Sequence, residues 1–415
     1  MAPQAKDTKN KLNGTDLIHA DDGLHGPEVA PSVSVSTTFR APNPQEVPNF
    51  KFEDIDMWNP SRHIYSRYTQ GVNTRVERVL SKINDGYAAT FASGLAASYA
   101  ALVYFKPKRI AIKGGYFGCH ATIEIYKRST DVPLIDIDDD FQPGDLCWLE
   151  TPLNPTGESR DIKYYAEKIH AAGGRLLVDS TFAPPPLQYP FKWGADIVLH
   201  SGTKYFGGHS DLLCGVLVVP ALEQWKELVH LRTYLGSMMG SFEAWLLLRS
   251  LRTLHLRVPR QSENALGLAQ WLSKAASGKA HDGIPAGVIH TVWHSSLQGK
   301  DARGFDPKTQ LEGGWNATFA ILMTNEDFAT RLPHSLKYFV PATSLGGVES
   351  LIEQRVHADP SSDPRLIRIS VGVEDLEAST LVRGRGRCLT PALQDLKDDL
   401  RRAFQEMARA PKAKL

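Results

Sequence analysis

HSGTKYFGGHSD, residues 200–211, lies between two strand-like runs, Asp196–Leu199 and Leu213–Val219. A lysine brought out after such a run, among hydroxyls and glycines, stands at the carboxyl edge of a buried strand. Desolvation there lowers the pKa of its amine, which lets Lys204 attack a carbonyl and later carry protons. Ser201 and Thr203 can donate hydroxyl hydrogen bonds to a phosphate beside it.

Working outward, the same alternation fills the chain from Asn73 to about Leu256. Strand-like runs are Arg109–Lys113, Val132–Ile137, Leu146–Glu150 and Arg175–Asp179, besides the two already named. Helix-like segments are Val76–Ile83, Leu95–Phe105, Ala121–Lys127 and Ile162–Ala172. Short apolar strands alternating with helices predict a mainly parallel sheet covered on both faces. Ligands of such sheets sit outside the carboxyl ends of the strands, where Lys204 falls.

Residues 1 to about 60 are rich in Pro, Asn and Asp and read as an extended arm with one β-like stretch, Val33–Phe39. The first residues, MAPQAKDTKNKLNG, read as a disordered leader without the apolar core of a secretory signal. A long helical stretch from Phe242 to about Lys274 leads to a smaller region. That region has strand candidates Gly287–Val292, Ala317–Met323 and Leu366–Val371 and a closing amphipathic helix, Pro391–Ala408. The expected division is an arm (1–70), a large domain (71–258) and a C-terminal domain (259–415). Arg383, Arg385 and Arg387 are read as a solvated loop rather than a phosphate or RNA patch.

The bulk numbers exclude several classes. A chain of 415 residues, 42% apolar and 22% charged, has the length for two domains and the composition of an ordinary globular protein. A net charge of +1 points to neither nucleic acid nor an anionic membrane as partner. No window approaches the roughly 18 uninterrupted apolar residues of a membrane span. Cys119, Cys147, Cys214 and Cys388 form no CxxC pair, so neither disulfide staples nor a thiolate metal site is expected. Cys147 and Cys214 sit in apolar runs, as buried, unreactive thiols do. A reducing, cytoplasmic setting fits.

Asp179 closes an apolar strand 25 positions before Lys204. A carboxylate at a buried strand end needs a partner. Read alone it is either a turn former, with Ser180 and Thr181 behind it, or the counter-ion of a protonated pyridine nitrogen, which keeps such a ring electron-poor.

Several stretches, in order, resemble the Cys/Met metabolism family of pyridoxal-phosphate (PLP) enzymes, the cystathionine γ-synthase and γ-lyase group. They are YSRY (65–68) with Gly71 and Thr74, ASGLAA (92–97), ETPLNPTG (150–157), VDSTFAPPP (178–186), HSGTKYFGGHSD, SLGGVESL (344–351) and RISVGVE (368–374). The resemblance runs from about residue 62 to about residue 390. It implies an α/β, fold-type-I PLP transferase-like architecture: a mostly parallel seven-stranded sheet sandwiched by helices, plus a smaller α+β C-terminal domain. It also implies PLP as cofactor, joined to Lys204 as a Schiff base.

Further roles implied by the resemblance follow one residue at a time. Ser93, Gly94 and Leu95 open a helix whose free N–H groups and dipole favour a phosphate. Ser201 and Thr203 complete that site, and Thr181 lies beside Asp179. Tyr65 and Arg67 would finish it from a neighbouring subunit, giving a homodimer with shared sites that pairs into a homotetramer. Tyr116 corresponds to the tyrosine that stacks on the ring and helps deprotonate substrate, and Asn154 to the donor to the cofactor's phenolic oxygen. Arg368 is inside an apolar strand and would hold a substrate α-carboxylate by a two-pronged hydrogen bond. Thr343, Ser344 and Leu345 would line the substrate side.

The reaction implied starts with Lys204 removing the α-proton. Loss of a second proton from Cβ expels a group at Cγ and leaves a vinylglycine-type intermediate. A nucleophile then gives γ-replacement, while release and hydrolysis give γ-elimination. Two departures bear on the choice. Members acting on cystathionine often carry glutamate where this chain has Thr343, and their His-Pro-Ala stretch is here EQRVHADP (353–360). The reading adopted is γ-replacement on an O-acyl-L-homoserine (cystathionine γ-synthase-like), with a thiol or carbon nucleophile. The alternatives are a γ- or β-lyase of cystathionine, a methionine γ-lyase, and a non-catalytic scaffold of the same fold.

Overall fold

Alternate residues of the strands around Lys204 feed two different apolar cores. In the computed structural model, which describes residues 12–24, 26–376 and 396–409, Cys147, Leu149, Leu176, Val178 and Val198 face one core. Leu146, Trp148, Leu177, Ile197 and Leu199 face the other. A strand's two-residue period can satisfy both only in a sheet covered on each side.

The chain begins with α1 (Gly14–His19) and α2 (Gly71–Ile83) and enters the sheet at β1 (Tyr87–Phe91). It continues through α3 (Gly94–Phe105), β2 (Arg109–Ile112), α4 (Phe117–Lys127), β3 (Leu134–Ile135) and β4 (Asp145–Glu150). Next come α5 (Ile162–Ala171), β5 (Arg175–Asp179), β6 (Ile197–Ser201) and β7 (Gly215–Val219). The seven strands lie in the order β1-β7-β6-β5-β4-β2-β3. From β6 to β3 the pairs are parallel, and β7 runs antiparallel to both neighbours. The register sets Glu150 opposite Asp179 at the carboxyl ends of β4 and β5. The expected mostly parallel, seven-stranded, helix-covered sheet is therefore present. β1 was not foreseen, since YAATF has only a weak strand pattern.

Helices α6 (Leu222–Leu235), α7 (Ser241–Leu251) and α8 (Leu254–Ser273) lead out of the sheet. The continuous helix expected from Phe242 is interrupted. Thr253 leaves helical geometry (φ −112°, ψ 9°), and Arg252 turns to Asp21 and the Leu17 carbonyl. A second, five-stranded sheet follows, built from β8 (Ile289–Trp293), β9 (Thr318–Met323), β10 (Val340–Pro341), β11 (Leu351–Gln354) and β12 (Leu366–Ser370). Its order is β10-β11-β12-β9-β8. The single turn α9 (Pro307–Gln310), α10 (Glu326–Ser335) and α11 (Leu396–Arg409) accompany it. On α11, Leu396, Leu400, Ala403, Phe404 and Met407 are buried, the stripe expected of a helix lying on a core.

The N-terminal arm differs from its sequence reading. Leu17 of α1 is fully buried, and Asp21 pairs with Arg75 at 2.7 Å and Arg252 at 2.9 Å. Residues 14–24, read as part of an extended arm, are thus packed. Val33–Phe39 forms no strand but one bridge, Thr38 to Tyr65, because no partner strand lies alongside and Val35 stays exposed. The start of the leader, Arg383, Arg385, Arg387 and Cys388 lie outside the described residues. Among the described residues, no helix is long and apolar enough to cross a membrane.

Candidate active site

A cavity of about 620 Å³ opens at the carboxyl ends of β4, β5 and β6 and is closed on its far side by the second sheet and its loops. Every expected site residue lines it except Tyr65 and Arg67. Those two lie elsewhere in this chain: Arg67 rests over the rings of Tyr65 and Tyr68 and donates to the Thr233 carbonyl.

One end of the cavity is built for an anion. Ser93 caps α3, accepting from Ala96 N at 3.1 Å, and the first N–H groups of the helix remain at its mouth. Gly94 lets that helix end close on β6. A Cβ there would stand 3.2 Å from Ser201 Oγ, tighter than ordinary packing. Thr203 Oγ1 accepts from Cys214 N at 2.9 Å and donates only weakly, at 3.4 Å, to its carbonyl. Its hydroxyl therefore serves the local turn while its hydrogen remains available.

The floor holds two buried acids. Asp179 Oδ1 accepts from Thr181 N (3.0 Å) and Oγ1 (2.6 Å), and Thr181 Oγ1 in turn accepts from Ser201 N. Asp179 thus organises the turn, and it also lines the cavity. Burial pushes it up to about 6. Glu150, not singled out from sequence as a site residue, accepts from Tyr116 N and Asn154 N, each at 2.7 Å. Burial, then the neighbouring Asp179, pushes it up to about 8. It ties the two loops bearing Tyr116 and Asn154 to one carboxyl. Gly115 (φ +91°) permits the approach, since a Cβ there would lie 2.5 Å from Glu150 Oε2. The signal for Glu150 was present, because it ends an apolar strand just as Asp179 does.

Lys204 extends from the turn after β6, and its Nζ donates to Ser344 Oγ at 2.9 Å. Burial, aided by the Arg368 charge and opposed by Glu353, lowers its pKa to about 8. Ser344 holds φ +82°, a left-handed conformation costing a non-glycine residue about 1 kcal/mol, and aims both its hydroxyl and its carbonyl at the cavity. Tyr116 stands at the mouth, 39% exposed, and partial burial raises its phenol.

Arg368 is buried, and burial lowers it to about 10. Its Nη1 donates to Asn154 Oδ1 (3.1 Å) and its Nη2 to the Ser344 carbonyl (2.8 Å), which leaves Asn154 its amide N–H groups to donate elsewhere. Nη2 also lies 2.5 Å from Glu353 Oε1. The sequence reading left Arg368 to the substrate alone; Glu353 is an additional partner in the protein. Leu345 is buried beside it, while Thr343 is exposed at the rim. Chemically, the helix end with Ser201 and Thr203 suits a phosphate, Asp179 a cationic ring nitrogen, Lys204 an aldehyde and Arg368 a carboxylate.

A family model described as Cys/Met metabolism PLP-dependent enzyme matches residues 14–405. The chain is 32% identical to a cystathionine gamma-lyase from Dictyostelium discoideum over 390 residues, 88% of this chain and 94% of that one. It is 34% identical to a cystathionine gamma-synthase from Mycobacterium tuberculosis over 335 residues, 75% of this chain and 83% of that one. Among solved structures, a methionine gamma lyase from Micromonospora echinospora superposes with a TM-score of 0.77 at 28% identity, covering 94% of this chain and 98% of its own.

Proposed function

The chain belongs to the family of Cys/Met metabolism PLP-dependent enzymes, and on that footing we propose that it performs γ-replacement on an O-acyl-L-homoserine. A thiol or a carbon acid would take the place of the acyloxy group at Cγ. One observation carries this reading. Thr343, Arg355 and Ala358, where the sequence leaves the pattern of cystathionine-handling members, are all walls of the cavity. The departures therefore alter what the substrate touches.

PLP, when bound, supplies an electron sink for the charge left as Cα loses its proton. The remaining work falls to the chain. Gly94, Leu95, Ser201 and Thr203 would hold the phosphate at the α3 terminus, and Asp179 would accept from the ring nitrogen and keep it protonated. Lys204, whose amine pKa burial lowers to about 8, takes the Cα proton. Tyr116, at the cavity mouth, would stack on the ring and exchange protons with the substrate amine. Arg368 orients the α-carboxylate, and Asn154 donates to the ring's phenolic oxygen.

Tyr65 and Arg67 complete the phosphate site of a second copy, so the active unit is a homodimer, with two dimers forming a tetramer. The supporting observation is that both side chains lie outside this chain's own cavity. The three described cysteines are buried and free, in keeping with a cytoplasmic setting.

Elimination is the second reading, favoured by the cystathionine γ-lyase and β-lyase names among the relatives. Incubating the holoenzyme with O-acetyl-L-homoserine and a panel of thiols and β-keto acids, with products followed by mass, separates the two. Adducts support replacement; 2-oxobutyrate and ammonia without any adduct overturn it.

A further inference from the structure

The substrate end of the cavity places one carboxylate between two guanidinium groups. Glu353 and Arg368 are direct cross-strand partners in the β11–β12 ladder, so their side chains share a face. Arg355 opens the single 3-10 turn (Arg355–His357) that directly follows β11. Glu353 Oε1 lies 2.5 Å from Arg368 Nη2 and 2.5 Å from Arg355 Nη1. All three residues are buried, at 5% to 8% exposure, and all three line the cavity.

The arrangement is lopsided. A single oxygen of Glu353 carries both guanidiniums, while its Oε2 and the Nε of Arg355 are buried without a hydrogen-bonding partner among the described residues. Buried polar atoms seldom stay unpaired, and each such atom costs roughly 1–3 kcal/mol. Two positive charges also face one negative charge, so the cluster accommodates one further anion. Arg368 cannot receive that anion in two-pronged fashion as it stands, because Nη2 is engaged by Glu353 and the Ser344 carbonyl, and Nη1 by Asn154.

We propose that Glu353 is a resident stand-in for the substrate α-carboxylate, held on Arg368 until an amino acid arrives and then drawn wholly onto Arg355. In that second state Glu353 turns to the Nε/Nη2 edge of Arg355, Oε2 accepting from Nε and Oε1 from Nη2, so that both orphaned atoms are satisfied in a bidentate pair. The substrate carboxylate takes the vacated place on Arg368, and the cluster becomes neutral, with two guanidiniums and two carboxylates. Glu353 and Arg355 are then positioning residues acting through Arg368, and the exchange rewards ligands that bring a carboxylate. The inference rests on the amino-acid reading of the site given above.

The test uses the holoenzyme with L-norleucine, which has no leaving group at Cγ, and with L-norleucinamide, which lacks the carboxylate. Dissociation constants come from the change in cofactor absorption and, independently, from calorimetry. Arg355→Met should strand Glu353 on Arg368 and weaken norleucine binding by about tenfold or more, leaving the amide unaffected. Glu353→Gln should tighten norleucine binding relative to the amide, and the double variant should recover the affinity lost in Arg355→Met. Wild-type discrimination between acid and amide in Glu353→Gln would overturn the exchange, and that variant alone decides the matter if Arg355→Met fails to fold. A double variant no better than Arg355→Met would also overturn it. A wild-type holoenzyme that binds neither compound would instead remove the amino-acid reading, and this inference with it.

Discussion

Lys204 Nζ donates a hydrogen bond to Ser344 Oγ at 2.9 Å, across 140 positions of sequence. The amine that the sequence marks as reactive leaves the first sheet but is aimed by a loop beside the second. Replacing it is the most direct challenge to the chemistry. Lys204→Ala should lower turnover by about a thousandfold or more and remove the borohydride-sensitive visible absorption of the holoenzyme, with thermal unfolding close to wild type. Turnover within about tenfold of wild type would exclude Lys204 as the proton carrier.

Asp179→Ala should reduce kcat by roughly a hundredfold or more, the scale of losing one electrostatic partner in a water-poor site. Steady-state kinetics at saturating PLP isolates this from cofactor loss. A variant that differs only in PLP affinity would limit Asp179 to organising its turn with Thr181.

Asp179 also gives the cofactor-free protein a signature in its stability. Its pKa is raised from 3.8 to about 6 by burial, so folding favours the protonated form. Such a group adds stability that is fully present below 3.8 and is lost as pH rises through 6. Glu150, raised from 4.5 to about 8, extends the loss to higher pH. The melting temperature of the cofactor-free protein should therefore fall between about pH 4 and 8. The fall should be shallower in Asp179→Asn, and an identical slope in the two proteins would refute the assignment.

Arg67→Ala should shorten the retention of PLP during dialysis without changing the unfolding temperature of the cofactor-free protein. Mixing this variant with Lys204→Ala tests the sharing of sites directly. A mixed dimer has one site with both residues intact and should keep, after dialysis, activity that the Arg67→Ala parent loses with its PLP and the Lys204→Ala parent lacks. Normal retention in the single variant, or no recovery in the mixture, would count against a site completed by the second copy.

Much of this site could be read from the sequence because its residues follow the ends of apolar strands. Asp179 and Lys204 announce themselves by that placement, whereas Ser93 and Gly94 entered through the family resemblance. Glu353 and Arg355 did not, because LIEQ carries Glu353 inside the strand, no apolar run marks β11, and Arg355 falls in the turn that follows. The buried ion pair across β11 and β12 depends on a register that local pattern does not encode. The same cause explains α1. Its six residues look polar, and only the tertiary contact burying Leu17 against α2 makes them structure. The failed strand at Val33–Phe39 is the converse, an apolar alternation with no neighbour to pair with.

The loop that presents Ser344 and the strand that presents Arg368 belong to the second sheet, while Lys204 and Asp179 belong to the first. An amino acid held by its nitrogen at one side and its carboxylate at the other would span both, as a clasp joins the two ends of a bracelet. Any shift of one sheet against the other would then change the angle of the Cα–H bond to the lysine. The stiffness of the junction, rather than either half alone, would govern how selectively that proton is taken.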